Sequence, residues 1–299
     1  MLAMSGAAGW AAAAPGTFAA ADASVPTRPI PSSDEPVPAI GLGSWITFNV
    51  GDDPVLRDEC AAVMRAFFAA GGRMIDSSPM YGSSQAVIGY GLDKLGRTRE
   101  AFSTDKVWTR DGDAGPDQIA TSAGHWGVSR FDLLQVHNLV AWRDHLALLF
   151  EMKARGRLRY VGVTTSHGRR GDELEQIMRF EPLDFVQLTY NPVDRHAEQR
   201  LLPLAAERGI AVIVNRPFRG GSLPERLAGS PLPGVAKELG ATTWAQLILK
   251  FILAHPAVTC PIPATTRVAH VRENLDAAHG ALPDTGMRSA IARVIADRL

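Results

Sequence analysis

Eight times along this chain a short apolar run is followed by a stretch with helical hydrophobic spacing, and no other feature limits the possible folds so tightly. The apolar runs lie at 39–44, 73–77, 101–108, 131–136, 160–164, 185–190, 210–214 and 258–262. The helical stretches lie at 55–70, 84–95, 117–126, 142–154, 172–179, 197–208, 243–253 and 270–278, and a last one at 283–299 closes the chain. Gly71–Gly72, Gly96, Gly156 and Gly209 stand where helices should stop, because a residue without a Cβ takes the left-handed conformation that ends a helix. Strands that alternate with helical crossovers pair in parallel. Eight such units predict a single-domain, closed parallel (β/α)8 TIM barrel. No G-x-G-x-x-G follows the first run, which argues against an open dinucleotide-binding sheet. Catalytic groups in a barrel of this kind belong at the C-terminal ends of the strands.

A barrel of 299 residues buries a core large enough to need neither disulfides nor a structural metal. Cys60 falls early in the first helix, toward the active-site face, and Cys260 early in the last strand, toward the opposite face. They are expected to be too far apart to bridge. With no CxxC and no His/Cys cluster, no metal site is expected. The 31 basic and 31 acidic side chains cancel without a basic run, which excludes a nucleic-acid path or an anionic membrane surface. Residues 1–24 stand apart: they are rich in Ala and Gly, lack Lys and Arg, and carry Ala19 and Ala21 as an A-x-A pair. They read as the remnant of an export signal, with a disordered tail as the alternative. Their mild hydrophobicity and the Pro15–Gly16 break suit a twin-arginine signal and a periplasmic address, although the arginines themselves are not in this sequence. The alternative address is the cytoplasm. Pro15 and the shortness of the run speak against a stable membrane span. Residues 25–38, rich in Pro, Ser and Asp, read as a linker, and 39–299 as the barrel domain.

Three consecutive strands send ionisable groups toward one mouth. Asp76 ends the second strand, with Tyr81 five positions later on the loop; Lys106 ends the third and His137 the fourth. Such a set can deliver a proton to an oxygen that gains negative charge. A Tyr hydroxyl is a weak acid with a reference pKa of about 10, and a neighbouring ammonium favours its phenolate. Lys106 can supply that charge, Asp76 can pair with Lys106 in a dry interior, and His137 can orient a substrate oxygen by a hydrogen bond. Each residue alone has a plainer reading: a turn Asp, a packing Tyr, a solvated Lys, a satisfied core His. Their joint placement is what carries the reading.

The blocks that hold these residues resemble the aldo-keto reductase family. They are GLGSW (41–45), IDSSPMYGSSQAVIG (75–89), STDKVW (103–108), DLLQVHN (132–138), GRLRYVGVTT (156–165), FVQLTYNP (185–192) and IPATTRVAHVRENLDA (262–277). The resemblance spans about residues 39 to 280. It implies an NAD(P)H-dependent reductase of aldehyde or ketone carbonyls, a small-molecule partner, and Tyr81 as general acid, tuned by Lys106 and Asp76 with His137 orienting the substrate. It also implies a set of cofactor contacts. Thr165 and Gln187 would meet the nicotinamide carboxamide and Tyr190 would stack on its ring. Asn215, Pro217, Arg219 and Gly220, in NRPFRGG, would wrap the pyrophosphate. Thr265, Thr266, Arg267, His270, Glu273 and Asn274 would lie around the adenosine end.

Two departures bear on the cofactor. Thr164–Thr165 stands where most of the family has Ser-Asn, and His270 and Ala264 stand where an arginine and a lysine usually hold a 2′-phosphate. Arg267 or Arg272 can replace that charge, so NADP(H) is favoured over NAD(H). Trp45, Met80 and Trp108, with Phe218, are expected to form the apolar wall of an open substrate pocket. A cofactor-holding regulatory or binding protein with little turnover is the alternative function. A metal-dependent hydrolase has no His-x-His to support it.

Overall fold

The computed structural model describes residues 24–299, so the expectations for an export signal or tail fall almost wholly outside the described residues. Ten strands form two sheets. β1 (Thr27–Pro29) and β2 (Pro36–Pro38) pair as an antiparallel hairpin. β3 (Leu42–Gly43), β4 (Met74–Asp76), β5 (Phe102–Val107), β6 (Leu133–Val136), β7 (Tyr160–Thr164), β8 (Phe185–Thr189), β9 (Ala211–Asn215) and β10 (Val258–Pro261) form one parallel sheet in sequence order. The sheet closes on itself. Gly41 and Gly43 donate their N–H groups to the carbonyls of Pro261 and Pro263, and Gly43 bridges Ala264 in parallel. The expected (β/α)8 barrel is therefore the fold.

Local chemistry sets the helices. Pro54 opens the first one, Pro54–Ala69, and the Asp53 carboxylate accepts from the N–H groups of Val55 and Leu56, satisfying donors that a helix start leaves open. Gly96, Gly127 and Gly209 end their helices in the left-handed conformation. The connection after β9, broken by Pro and Gly, contains two short helices, Ser222–Leu227 and Gly234–Glu238, before the buried helix Trp244–Leu253. No helix among the described residues is long and apolar enough to cross a membrane.

The pleat of the strands divides the barrel interior into bands, because side chains two apart share a face. The lowest band is apolar: Met74, Phe102, Leu133, Tyr160, Phe185, Ala211 and Cys260 pack as one cluster. Ile30 and Val37 of the N-terminal hairpin complete it. Residues 25–38 are thus not the expected linker but the floor of the barrel. Arg28 donates to the carbonyls of Leu253 and Val258, and Glu35 pairs with Arg159 and accepts from the Tyr160 hydroxyl. Both cysteines are buried and unpaired, Cys260 in the floor and Cys60 with its thiol toward the Thr47 carbonyl.

Gly43 marks the seam. A Cβ there would lie 2.8 Å from the Ile262 carbonyl oxygen, closer than a real carbon tolerates. Gly43→Ala must spread β3 from β10, and the expected loss is about 1–3 kcal/mol, as for other overpacked interiors. Urea denaturation checks it: an unchanged midpoint would mean that the seam yields freely.

Candidate active site

Two residues above the floor side chains of β4, β5, β6 and β8 the interior turns polar, while Ile213 of β9 and Ile262 after β10 stay apolar. Asp76, Thr104, Gln135 and Gln187 occupy this band and are all buried. Gln187 Nε2 donates to Asp76 Oδ1 at 2.9 Å, and Gln135 Nε2 donates to Thr104 Oγ1 at 3.1 Å. The other Asp76 oxygen, Oδ2, accepts from Lys106 Nζ at 2.6 Å, and Lys106 also donates to the Ser77 carbonyl at 2.6 Å. Lys106 is fully buried and Asp76 nearly so. Removing an ion from water is expensive unless its hydrogen-bonding capacity is filled. Here the carboxylate accepts from an ammonium and an amide, and two of the three ammonium protons are spent.

Tyr81 sits above the pair. It ends a short 3-10 turn, Pro79–Tyr81, started by Ser78, and its ring centre lies 5.3 Å from Lys106 Nζ. Burial pushes the phenol pKa up from its ordinary value, and the Lys106 charge pulls it part of the way back. The hydroxyl is therefore protonated near neutral pH, with the Lys106 ammonium near the ring. Lys106 itself is held above its ordinary value: burial alone would lower it, but the interactions with its neighbours, the Asp76 carboxylate first among them, outweigh that. His137 follows β6 directly and meets the Tyr81 ring edge-on at 5.8 Å between centres. Burial, helped by the Lys106 charge, pushes its imidazole down to about 3. His137 is thus a neutral hydrogen-bonding group and not a cation. The four groups expected at one rim are together there.

They open into a cleft of about 420 Å³ that runs from Trp45, Ile46, Met80, Tyr81 and His137 across Gln187 and Asn215 to Thr265, Thr266, Arg267 and His270. Trp45 and Met80 line it as expected, and so do Asn215, Pro217, Phe218 and Gly220. Trp108 stands beside it, its ring centre 6.4 Å from that of His137, outside the lining.

Five expected cofactor contacts are elsewhere. Tyr190 is fully buried against Phe251, and its hydroxyl meets Glu198 and Arg288. It cannot stack on anything in the cleft, because strand alternation turns it away from the interior that Gln187 faces. Thr165 is turned away for the same reason: Thr164 faces the cleft, and only the Thr165 carbonyl contributes, accepting from Asn215 Nδ2 at 2.8 Å. Arg219 pairs with Asp194 at 3.1 Å. Glu273 accepts from the Thr243 hydroxyl, and Asn274 is buried on the inner face of its helix. Arg216, Ser166 and His167 line the cleft instead. Arg216 lies inside the same NRPFRGG run; both arginines have left-handed backbone, φ 50° and 51°, and it is Arg219 that the Asp194 carboxylate holds. Among the described residues no group of three or more His, Cys, Asp or Glu could hold a metal.

A parallel barrel with an Asp–Lys pair beneath a loop tyrosine and a strand-end histidine is the architecture of a reductase family, and the comparisons agree. The Aldo/keto reductase family model matches residues 39–292, and the chain belongs to that family. It is 25% identical over 245 residues to an NADH-specific methylglyoxal reductase of Escherichia coli strain K12, covering 70% of this chain and 72% of that protein. Its fold matches a holo aldo-keto reductase of Bacillus halodurans with a TM-score of 0.75 at 20% identity, covering 90% and 96% of the two chains. It also matches an aldo/keto reductase of Klebsiella pneumoniae in complex with NADP and acetate, with a TM-score of 0.72 at 22% identity, covering 88% and 93%.

The depressed His137 pKa has a consequence for stability. The group titrates at about 3 in the fold and at about 6.5 in an unfolded chain. Between those values the unfolded chain binds the extra proton, so folding loses stability as pH falls from about 6.5 toward 3. His137→Gln removes this contribution. Its urea midpoint should fall less steeply than that of the wild type over that range; parallel slopes would place the imidazole in contact with water.

Proposed function

We propose that this chain is an NADP(H)-dependent reductase of uncharged aldehydes or ketones, with Tyr81 as the group that protonates the carbonyl oxygen. The observation that carries the reading is the buried Lys106–Asp76 pair held directly beneath the Tyr81 phenol. Such a pair is costly to bury and has one evident use in this position, which is to stabilise negative charge on the phenolic oxygen.

The cleft fits a dinucleotide. Gln187 and Asn215 present amide groups at its centre, suited to a carboxamide. Arg216 and the positive-φ Gly220 and Gly221 edge its middle, where cationic and backbone donors suit a diphosphate. Arg267 and His270 stand at its far end, and Asp76 is the sole carboxylate among the described lining residues. That charge pattern favours a cofactor carrying a 2′-phosphate over one with a free hydroxyl, which acidic side chains commonly bind. The bound nicotinamide supplies the hydride. The chain's own residues do the rest. His137 directs the carbonyl oxygen toward Tyr81, the phenol releases its proton to that oxygen, and Lys106 balances the phenolate that remains. Trp45, Ile46 and Met80 cover the carbonyl end with apolar surface, and no ionised side chain lines that end apart from Asp76 below it. This suits a neutral substrate, consistent with relatives named for methylglyoxal reduction.

Single-turnover oxidation of bound NADPH by a nitrobenzaldehyde tests the reading. The wild type should oxidise the cofactor. Tyr81→Phe should slow it by about 10²–10⁴-fold, the range for loss of a positioned acid, while NADPH affinity stays within about twofold. A wild type that binds NADPH without oxidising it would be a binding protein, and near-full turnover in the variant would move the acid elsewhere. Titration with both dinucleotides checks the cofactor: Arg267→Ala should weaken NADPH about ten- to hundredfold, as for a lost charged hydrogen bond, and leave NADH nearly unchanged.

A further inference from the structure

We propose that Ser78 is a positioning residue that fixes His137 in the tautomer bearing its proton on Nε2, the nitrogen on the far side of the ring from Ser78; the functional consequence rests on His137 directing the carbonyl oxygen. Ser78 is fully buried, and its Oγ lies 2.7 Å from His137 Nδ1. The same Oγ already accepts from the Met80 N–H at 3.2 Å. Apart from Nδ1, no acceptor among the described residues lies within reach of the hydroxyl proton. If Nδ1 carried a proton, it would donate to the second lone pair of Oγ, and the serine's own proton would have no acceptor. A buried hydroxyl left without an acceptor is costly. The arrangement that satisfies every group has Ser78 donating to Nδ1, which then holds the lone pair.

The imidazole is neutral, since burial beside Lys106 holds its pKa at about 3, and a neutral ring has one N–H and one lone pair. With the lone pair on Nδ1, the proton is on Nε2. The tautomer matters because the two forms do opposite things to a carbonyl oxygen. An Nε2–H donates to it and strengthens its hold as negative charge grows there. A bare Nε2 repels that charge. Trp108 and Tyr81 flank the ring at 6.4 and 5.8 Å between centres, which limits its freedom to rotate and exchange the two nitrogens. Ser78 has a plainer duty as well, capping the Pro79–Tyr81 turn, and the test must separate the two.

Nitrogen-15 NMR of the histidine side chains does so, with His137 assigned by the signals lost in His137→Gln. In the wild type the unprotonated nitrogen should be Nδ1. Ser78→Ala should shift His137 toward a mixture of tautomers. It should also lower kcat for aldehyde reduction about ten- to hundredfold, the lower part of the range for loss of one oxyanion donor, with KM changed only a few-fold and NADPH affinity unchanged. Ser78→Thr, which keeps the hydroxyl, should restore the wild-type spectrum and most of kcat. A wild-type proton on Nδ1 would overturn the proposal, as would a Ser78→Ala protein with an unaltered His137 spectrum. A lost cap alone would lower Tm and leave that spectrum as it was. Because the wild-type spectrum needs no turnover, it decides the matter even if the chain reduces nothing, so failure here and failure of the reductase reading can be told apart.

Discussion

An ammonium and a carboxylate in contact at the centre of a closed barrel, almost wholly removed from water, are the constraint around which this molecule is arranged. Lys106 and Asp76 reach each other at 2.6 Å because β4 and β5 are hydrogen-bonded neighbours with Asp76 beside Thr104, one interior step below Lys106. Their attraction alone would not compensate for the lost hydration. The interior supplies the remainder: the Gln187 amide and the Thr104 hydroxyl on the carboxylate, the Ser77 carbonyl on the ammonium. The polar band exists to hold the pair, and the apolar band below keeps water from it.

The cleft above divides electrically. At the Tyr81 and His137 end the surface is apolar and His137 is neutral, so the field there is set by the Lys106–Asp76 pair below. Toward the other end Arg216, Arg267 and His270 make the lining basic. An anionic ligand is drawn to one end and a neutral one suits the other. Two substrates of different charge can share one groove without competing for the same groups.

Most of the fold was legible in the sequence because the barrel strands and several helix stops have a local cause: an apolar run of five or so residues, or, as at Gly96 and Gly209, a glycine free to turn left-handed. All eight barrel strands lie within or one residue beyond their expected runs. The floor hairpin was not legible. Its strands are three residues each, and its contribution to the core is two isolated apolar side chains, Ile30 and Val37, in a segment whose prolines resemble a linker. At the site, Asp76, Lys106, His137 and Gln187 were legible because strand alternation puts all of them on the interior face. The same alternation argues against Tyr190 and Thr165, each an odd number of places from an inward neighbour. Resemblance placed them in the cleft, and the parity of the pleat places them outside it. Loop and helix residues such as Arg216, Arg219 and Glu273 follow no such rule. Their directions depend on single backbone angles and on partners remote in sequence.

The hairpin floor also sets which way the molecule faces. Ser24 and Val25 pack against Gly71, at the end of the first helix and just before β4 begins, so the described chain enters the barrel from beneath, and the cleft opens on the far side. Ser24, the first described residue, therefore stands at the end remote from the mouth. A surface anchor joined directly at Ser24 would hold the barrel by its closed end and leave the cleft facing the surrounding solution.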